Sequence, residues 1–198
     1  MNHSDNTWGA LILETVRTPE IAANRIMSWQ LPRVAVYQIL IVVSALNTLT
    51  TAFQVSLSVD PGPMGQALSH PFGFFILGAG LTVVFVHLLY WVGNALGGDG
   101  NFGDLLTLLI WLEVLRFLAQ VVILAAGFVI PALALLLFLG ILVLNLWLLL
   151  HFIRIAMRLN SMWHATGVLV ATIGGLVMGM TVLLSLIGLS TLGISANV

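Results

Sequence analysis

The chain contains no cysteine and no lysine, and charged residues of either sign are scarce. The absence of cysteine excludes disulfides, zinc-thiolate sites and cysteine nucleophiles. Six arginines and seven acidic residues amount to 7% of the 198 residues, against about 25% in a soluble globular domain. So few charges do not cover a water-exposed surface of this size, and a water-soluble fold is therefore excluded.

The scarcity of charge and the motifs that are missing also exclude several functions. A formal net charge of −1 without a basic run gives no electrostatic footprint for phosphates, so nucleic acid is excluded as a partner. The sequence contains no His-Glu-x-x-His motif, no kinase or Walker set and no paired intramembrane aspartates. We therefore predict no catalytic residue, no metal site and no cofactor, and we expect that the protein is not an enzyme.

Apolar residues are abundant instead. They make up 60% of the chain, and the mean hydropathy is +1.13. A helix needs ~20 residues to cross roughly 30 Å of hydrocarbon. Five runs reach that length, at about residues 34–57, 72–96, 104–127, 131–153 and 164–190. We predict an all-α, multi-pass transmembrane bundle of five helices over residues 34–192, followed by a short C-terminal tail over residues 193–198.

Residues 1–33 precede the first span and form a cytoplasmic or interfacial segment in this prediction. Apolar side chains recur at helical spacing from Trp8 to Val16. A second helix restarts at Thr18-Pro19, a capping residue followed by a proline in the first turn. We expect two short amphipathic helices that lie at the membrane surface.

The arginines predict the orientation. Only Gly127 and Pro131 interrupt the apolar stretch over residues 105–153, and we interpret them as a tight hairpin between the third and fourth spans. With five spans, the arginines before the first span share one side with Arg154 and Arg158, whereas the loop around Asp60 on the other side has no positive charge. The positive-inside rule then predicts a cytoplasmic N-terminus and a periplasmic C-terminus in the cell inner membrane.

Two opposite charges occur in the middle of the third span. If Asp104 starts this helix, Arg116 lies about 18 Å deeper, close to the bilayer midplane. Glu113 precedes Arg116 by one turn on the same face, and Gln120 continues the polar stripe. A central charge costs about 2.5–3.5 kcal/mol to insert and needs a partner. The three residues form either a self-satisfied structural strut or part of a path for a ligand, a lipid or an ion.

Two other spans carry polar stripes at a depth where they can meet this group. Such residues usually act as hydrogen-bonding contacts between membrane helices. Because these residues are numerous, a small polar cavity among the first three membrane helices is a second interpretation. The stripe of the first span consists of Ser44, Asn47, Thr48, Thr51 and Gln54, and that of the second consists of His87, Tyr90 and Asn94.

Small residues at four-residue spacing predict close helix packing. Gly93 and Gly97 lie at the end of the second span, and Ala171, Gly175 and Gly179 lie in the fifth. This spacing lets helix backbones approach closely, which is how helices associate in lipid. We assign these faces to the interior of the monomer, with a homo-oligomer as the alternative.

A glycine-rich loop, Gly98-Asp99-Gly100-Asn101-Phe102, runs into the third span at Leu105-Leu106-Thr107-Leu108-Leu109. It lacks the Lys and Ser/Thr of a phosphate-binding loop, and we interpret it as a structured turn in which Asn101 caps the following helix. The loop, the Thr-Pro-Glu start and the five spans occur together in this chain. Over residues 15–190 the chain therefore resembles the Yip domain family, named for Ypt/Rab-GTPase-interacting proteins.

The resemblance implies a multi-pass membrane protein, and in eukaryotic members it implies vesicle traffic and small-GTPase binding. This chain lacks the long cytosolic N-terminal region of those members. It also has Glu113 and Arg116 where an apolar, proline-containing stretch is usual. It is therefore similar to a bacterial member, and GTPase binding is not carried over.

Two functions of different classes follow from these observations. The first is a non-enzymatic scaffold or adaptor that packs against other membrane proteins, which the small-residue packing and the near absence of soluble mass favour. The second is a small transporter or lipid-handling protein with a polar path around Glu113 and Arg116. Membrane lipids are the expected partners in both cases.

Overall fold

The structure is a computed structural model that describes residues 8–56 and 71–187. Over these two ranges it contains seven α-helices and no strand. The loop around Asp60 and the tail over residues 193–198 lie outside the described residues. The helices are α1 (Trp8–Arg17), α2 (Pro19–Met27), α3 (Arg33–Ser56), α4 (Pro71–Ala95), α5 (Phe102–Val129), α6 (Pro131–Ala156) and α7 (Met162–Ile187).

Helices α3 to α7 correspond to the five predicted spans and confirm the all-α, multi-pass fold. Each is long and apolar enough to cross a membrane. The predicted hairpin is also confirmed, because α5 ends at Val129, Ile130 is extended and Pro131 begins α6. Proline has no N–H to donate, so it is tolerated in the first turn of a helix and not in its interior.

The core of the bundle surrounds the first half of α5. Between Leu105 and Leu112 every residue except Thr107 is buried. A helix that is apolar and buried on all faces needs neighbours all round. Helices α2, α3, α4 and α6 each pack against α5, and Phe152 of α6 and Leu89 of α4 are fully enclosed in the same core. The second half of α5 is less buried.

Helices α1 and α2 fold against each other and onto one end of the bundle. Ile26 on α2 is fully buried, and α2 packs against both α5 and α6. Thr15 on α1 is also fully buried, and its hydroxyl accepts a hydrogen bond from Nε1 of Trp111 at 3.2 Å. The two predicted amphipathic helices therefore cover the bundle with their apolar faces.

Three elements that are distant in the chain meet at this end. Glu20 on α2 forms an ion pair with Arg154 near the end of α6. The guanidinium carbon of Arg33, at the start of α3, lies 5.6 Å from the ring centre of Phe102, which begins α5. Arg33 and Arg154 thus lie at the same end of the bundle, which we call the arginine end.

The glycine-rich loop before α5 packs against the turn that follows α6. The backbone N–H of Asp99 donates to the carbonyl oxygen of Met157 at 3.1 Å. A Cβ added to Gly100 would overlap the carbonyl oxygen of Ala156 and lie 2.6 Å from Cα of Met157. Only glycine lets the two backbones approach this closely. The loop therefore fastens the start of α5 to the end of α6.

The two flanks of this loop have different roles. Asn101 caps α5, as predicted: its side-chain oxygen accepts a hydrogen bond from the N–H of Gly103 at 2.9 Å. Gly97 has φ of +91°, a backbone conformation that other residues adopt at a cost. Since α4 ends at Ala95 and nothing lies within 4 Å of a Cβ added to Gly97, this residue serves the turn and not helix packing.

The remaining small residues divide between contact and outer surface. A Cβ on Gly93 would lie 2.6 Å from the methyl carbon of Met157, and one on Gly175 would lie 3.4 Å from a leucine of α4. Ala171 and Gly179 are exposed on α7, and a Cβ added to Gly179 meets nothing within 4 Å. The spacing of small residues marks one helix face, but only part of that face is covered by another helix.

Candidate functional site

Glu113 and Arg116 form an ion pair in the middle of α5. Nη2 of Arg116 lies 2.5 Å from Oε2 of Glu113. The residues are three positions apart, so their side chains leave the same face of the helix. At a rise of 1.5 Å per residue, Glu113 lies about 17 Å from the first residue of α5 and about 24 Å from the last. The pair therefore lies well inside the candidate span.

An amide from α3 binds the same carboxylate. Nδ2 of Asn47 donates to Oε2 of Glu113 at 3.4 Å, from a side chain that is only 8% exposed. The other amide atom, Oδ1 of Asn47, is buried and accepts no hydrogen bond from any residue that the structure describes. Glu113 is thus held by one cation and one amide, where α3 packs against α5.

Polar contacts between α3 and α5 continue beyond the ion pair. Nε2 of Gln120 donates to Oγ1 of Thr51 at 3.0 Å and to Oε1 of Gln54 at 3.4 Å. The hydroxyl of Thr51 donates to the carbonyl oxygen of Asn47 at 2.8 Å. We call this continuous set, from Asn47 and Glu113 to Gln54 and Gln120, the polar ladder.

A cleft of about 820 Å³ lies beside the polar ladder, between α3, α4, α5 and α6. Its volume is within the roughly 300–1,000 Å³ that small-molecule sites occupy. The cleft is partly open, and apolar side chains form most of its surface. The polar residues on its wall include Ser44, Asn47, Thr48, Arg116, Gln120 and Asn145.

The two members of the ion pair differ in their access to the cleft. The side chain of Glu113 is 16% exposed and that of Arg116 is 54% exposed. Arg116 lines the cleft, whereas Glu113 lies behind it. A guanidinium has five N–H donors in a fixed plane. Arg116 can therefore donate hydrogen bonds to a molecule in the cleft. It is also the one charged residue among the described residues that line the cleft.

Several polar groups on the cleft wall have no hydrogen-bond partner among the described residues. They are the side chains of Ser44, Thr48 and Asn145. By contrast, the hydroxyls of Thr50 and Thr82 each donate to the backbone carbonyl four residues earlier. The three groups can both donate and accept hydrogen bonds. Together with Arg116, they give the cleft a polar strip suited to noncovalent binding.

The family model of the Yip1 domain matches residues 13–188, from within α1 to just past the end of α7. The chain belongs to the Yip1 domain family. The Yip1 match takes in the glycine-rich loop, whose close backbone contacts with Ala156 and Met157 explain the glycines of that motif in structural terms. No curated protein and no solved structure matches this chain.

In this Yip1 domain, the predicted polar residues of the second span lie away from the ion pair. The ring centres of His87 and Tyr90 are 4.7 Å and 5.4 Å from that of Phe102, at the arginine end. Asn94 is exposed. Because these residues occupy the last part of α4, His87 and Tyr90 meet the beginning of α5 and not its middle. Of the predicted cluster, the structure brings Asn47 to the ion pair, joins Gln120 to Thr51 and Gln54 farther along the same α3–α5 contact, and leaves the three α4 residues apart.

One wall of the cleft was not predicted from the sequence. The sequence leaves open a cavity among the first three membrane helices, but α6 supplies a fourth wall that includes Asn145. Asn145 is the one amide of α6, and it lies apart from His151 and Arg154 near the end of this helix, which is the signal that singles it out. Because the residues around Asn145 are apolar on every face of α6, the sequence does not indicate which face of this helix lines the cleft.

Metal binding has no support within the part of the chain that the structure describes. No group of three or more His, Asp or Glu side chains in residues 8–56 and 71–187 is arranged to hold an ion. The chemistry that the cleft offers consists of one guanidinium, amides and hydroxyls beside an apolar wall.

Proposed function

We propose that this Yip1-domain protein binds an amphipathic, lipid-like molecule in the cleft beside the polar ladder. The observation that carries the proposal is the position of Arg116, a charged side chain at mid-span that is 54% exposed and lines a cleft of about 820 Å³. The role is one of binding and lipid handling within the membrane, and not of catalysis.

The energetics of a buried charge support this proposal over a purely structural strut. Placing an arginine at the centre of a membrane costs about 2.5–3.5 kcal/mol, and enclosing it with its partner reduces that cost. An ion pair with a purely structural role is therefore expected to have both of its charged groups enclosed by protein. Here only Glu113 is enclosed, while Arg116 is open to the cleft. Its remaining donors require acceptors, which water or the polar head of a ligand supplies.

The cleft wall has the two-sided character that an amphipathic molecule requires. Arg116 and most of the hydroxyls and amides come from α3 and α5, and Asn145 adds an amide from α6. Phe74, Ile123 and Leu146 supply apolar surface from α4, α5 and α6. Ligand sites of this kind are mostly apolar, and a few polar groups fix the orientation of the ligand. The polar head then lies against the polar ladder and the apolar tail against the remaining wall.

We place the arginine end in the cytoplasm and the hairpin at Ile130 on the opposite side, in the cell inner membrane. The arginines support this orientation, because Arg33 and Arg154 lie at one end of the bundle and Arg158 follows α6 at that end. Positively charged residues are enriched on the cytoplasmic side of membrane proteins.

A pair of glycine substitutions tests the proposed binding. Gly78 lines the cleft, and a Cβ there meets nothing within 4 Å, so Gly78→Phe fills the cleft without a backbone clash. Gly140→Phe is the matched control, because Gly140 is an equally open helical position that does not line the cleft. We expect native mass spectrometry of the protein purified in mild detergent to show a bound lipid in wild type and in Gly140→Phe, and to show none in Gly78→Phe. Equal lipid binding by all three proteins would exclude the cleft as the site.

A scaffold role is the second candidate, and the outer face of α7 favours it. Gly179 is exposed there, and nothing lies within 4 Å of a Cβ added at this position. Small residues on a lipid-facing surface let a second helix approach closely. Cross-linking in native membranes tests this role: a stoichiometric membrane partner that is lost in Gly179→Leu supports it, and the absence of any stoichiometric partner contradicts it.

A further inference from the structure

The charges around the cleft restrict the kind of molecule that it can hold. Arg116 is the one charged residue among the described lining residues, and its charge is already offset by Glu113 at 2.5 Å. The site as a whole is therefore electrically neutral. An anionic head bound to Arg116 would share one guanidinium with the Glu113 carboxylate, which leaves one negative charge uncompensated at mid-span. Uncompensated charge is strongly disfavoured at that depth.

The hydrogen-bonding groups on the wall indicate what an uncharged head must offer. Arg116 only donates hydrogen bonds, whereas the hydroxyls of Ser44 and Thr48 and the amide of Asn145 both donate and accept. These last three side chains have no partner among the described residues. A hydroxyl group matches this mixture, because it accepts from a guanidinium and donates to a neighbouring oxygen at the same time.

We propose that the cleft selects amphiphiles with an uncharged, hydroxyl-bearing head, such as diacylglycerol or a long-chain alcohol, and discriminates against lipids with an anionic head. This inference rests on the proposed lipid-binding function and adds the class of ligand. The selectivity arises from the neutral Glu113–Arg116 pair, and the affinity for the hydroxyl arises from Ser44, Thr48 and Arg116.

The test uses the full chain in phosphatidylcholine nanodiscs with two photo-reactive probes. One probe is a diacylglycerol and the other is a phosphatidic acid with the same acyl chains. The photo-reactive group is in the acyl chain of both probes, and labelled peptides are identified by mass spectrometry. We expect the diacylglycerol probe to label peptides of α3 and α5 at the cleft at least tenfold more than the phosphatidic acid probe. Gly78→Phe abolishes this labelling, which assigns it to the cleft.

Two variants separate the hydroxyl contacts from general effects on folding. The double variant Ser44→Ala/Thr48→Val removes both unpartnered hydroxyls, and we expect it to weaken diacylglycerol binding about tenfold, as for two neutral hydrogen bonds. Thr50→Val is the matched control on the same helix. The Thr50 hydroxyl is already bonded to the carbonyl oxygen of Leu46, and Thr50 does not line the cleft, so binding stays unchanged.

A gain of binding provides the sharpest test of the charge argument. Glu113→Gln makes the site positively charged, and we expect it to raise labelling by the phosphatidic acid probe at least tenfold over wild type. Loss of structure cannot produce such a gain.

Three results bear on the two proposals differently. Stronger labelling of the wild-type cleft by phosphatidic acid than by diacylglycerol would overturn the inference about the ligand class and leave the proposed lipid binding intact. Unchanged phosphatidic acid labelling in Glu113→Gln would also overturn the charge argument. Labelling of the cleft by neither probe, with no lipid found in the purified wild-type protein, would overturn the proposed function itself.

Discussion

Glu113 and Arg116 are 2.5 Å apart at the middle of α5, yet only Arg116 lines the cleft. The carboxylate is enclosed between α5 and Asn47 of α3, whereas the guanidinium is 54% exposed. Glu113 is thus enclosed by protein, whereas Arg116 is accessible from the cleft. Substitution of the two residues should therefore change the stability of the protein by different amounts.

The first prediction concerns this asymmetry. Arg116→Gln leaves a carboxylate enclosed without a cation, and we expect it to lower the free energy of unfolding by about 3 kcal/mol. Glu113→Gln leaves a cation that water in the cleft can reach, and we expect a loss of about 1–2 kcal/mol. The double variant restores a neutral site and should lie within about 1 kcal/mol of wild type. Unfolding in mixed micelles of increasing denaturing detergent measures these values, and additive losses in the double variant would contradict the pairing.

A second prediction concerns the glycine-rich loop. A Cβ on Gly100 would overlap backbone atoms of Ala156 and Met157, which cannot move aside as a flexible side chain can. We expect Gly100→Ala to destabilise the protein by about 2 kcal/mol in the same assay. Gly103→Ala is the control, because its Cβ would lie 3.5 Å from Oδ1 of Asn101, an ordinary contact. Equal stability of the two variants would show that the loop does not depend on the close approach.

The third prediction tests how α2 docks on the bundle. Because the chain has no native cysteine, introduced cysteines report without background. Glu20 and Arg154 form an ion pair between α2 and α6, so we expect a short, flexible bis-maleimide to cross-link Glu20→Cys to Arg154→Cys within one chain. The pair Glu20→Cys/Ile130→Cys joins opposite ends of the bundle and should not be cross-linked. Intact mass and peptide mapping distinguish the two results, and the absence of a cross-link between positions 20 and 154 would contradict the docked position of α2.

The contribution of this ion pair to stability should be small. The side chains of Arg154 and Glu20 are 26% and 57% exposed, so water screens their attraction. We expect a coupling energy below about 1 kcal/mol from a double-mutant cycle of Glu20→Gln and Arg154→Gln. A larger coupling would mean that the pair is shielded from water in the membrane.

The fifth prediction follows from the proposed orientation. In whole cells, a membrane-impermeant maleimide should label Ile130→Cys, at the hairpin between α5 and α6, and should not label Arg158→Cys until the cells are opened. Both positions are exposed in the bundle, so a difference in labelling reports the side of the membrane and not burial. The reverse labelling pattern would invert the proposed topology.

Much of the fold follows from local sequence patterns. The five spans are visible as apolar runs, because crossing a membrane sets a minimum length for each helix. The hairpin at Pro131 and the cap at Asn101 follow from the backbone chemistry of those two residues. The pairing of Glu113 with Arg116 follows from helical spacing alone, since side chains three positions apart share one face.

The site itself follows from sequence only in part. The polar stripe of the first span and Gln120 do meet, and Thr51 and Gln54 accept from Gln120. The second span also carries a stripe of polar residues, but this stripe lies at the arginine end. There His87 and Tyr90 pack near the ring of Phe102. The polar character of these residues can be recognised in the sequence, but the residues that they contact cannot.

The amino-acid sequence by itself determined that the chain is a helical membrane protein, roughly where its five long helices lie, and which charges neighbour each other on α5. Tertiary structure alone decided that α6 closes the cleft with Asn145, that Arg116 lines the cleft while Glu113 lies behind it, and that Ala171 and Gly179 stay uncovered. The reason is that a membrane helix is apolar on the face it packs and on the face it shows to lipid. Its sequence therefore sets its length and depth, whereas its rotation and its neighbours depend on how all the helices fit together.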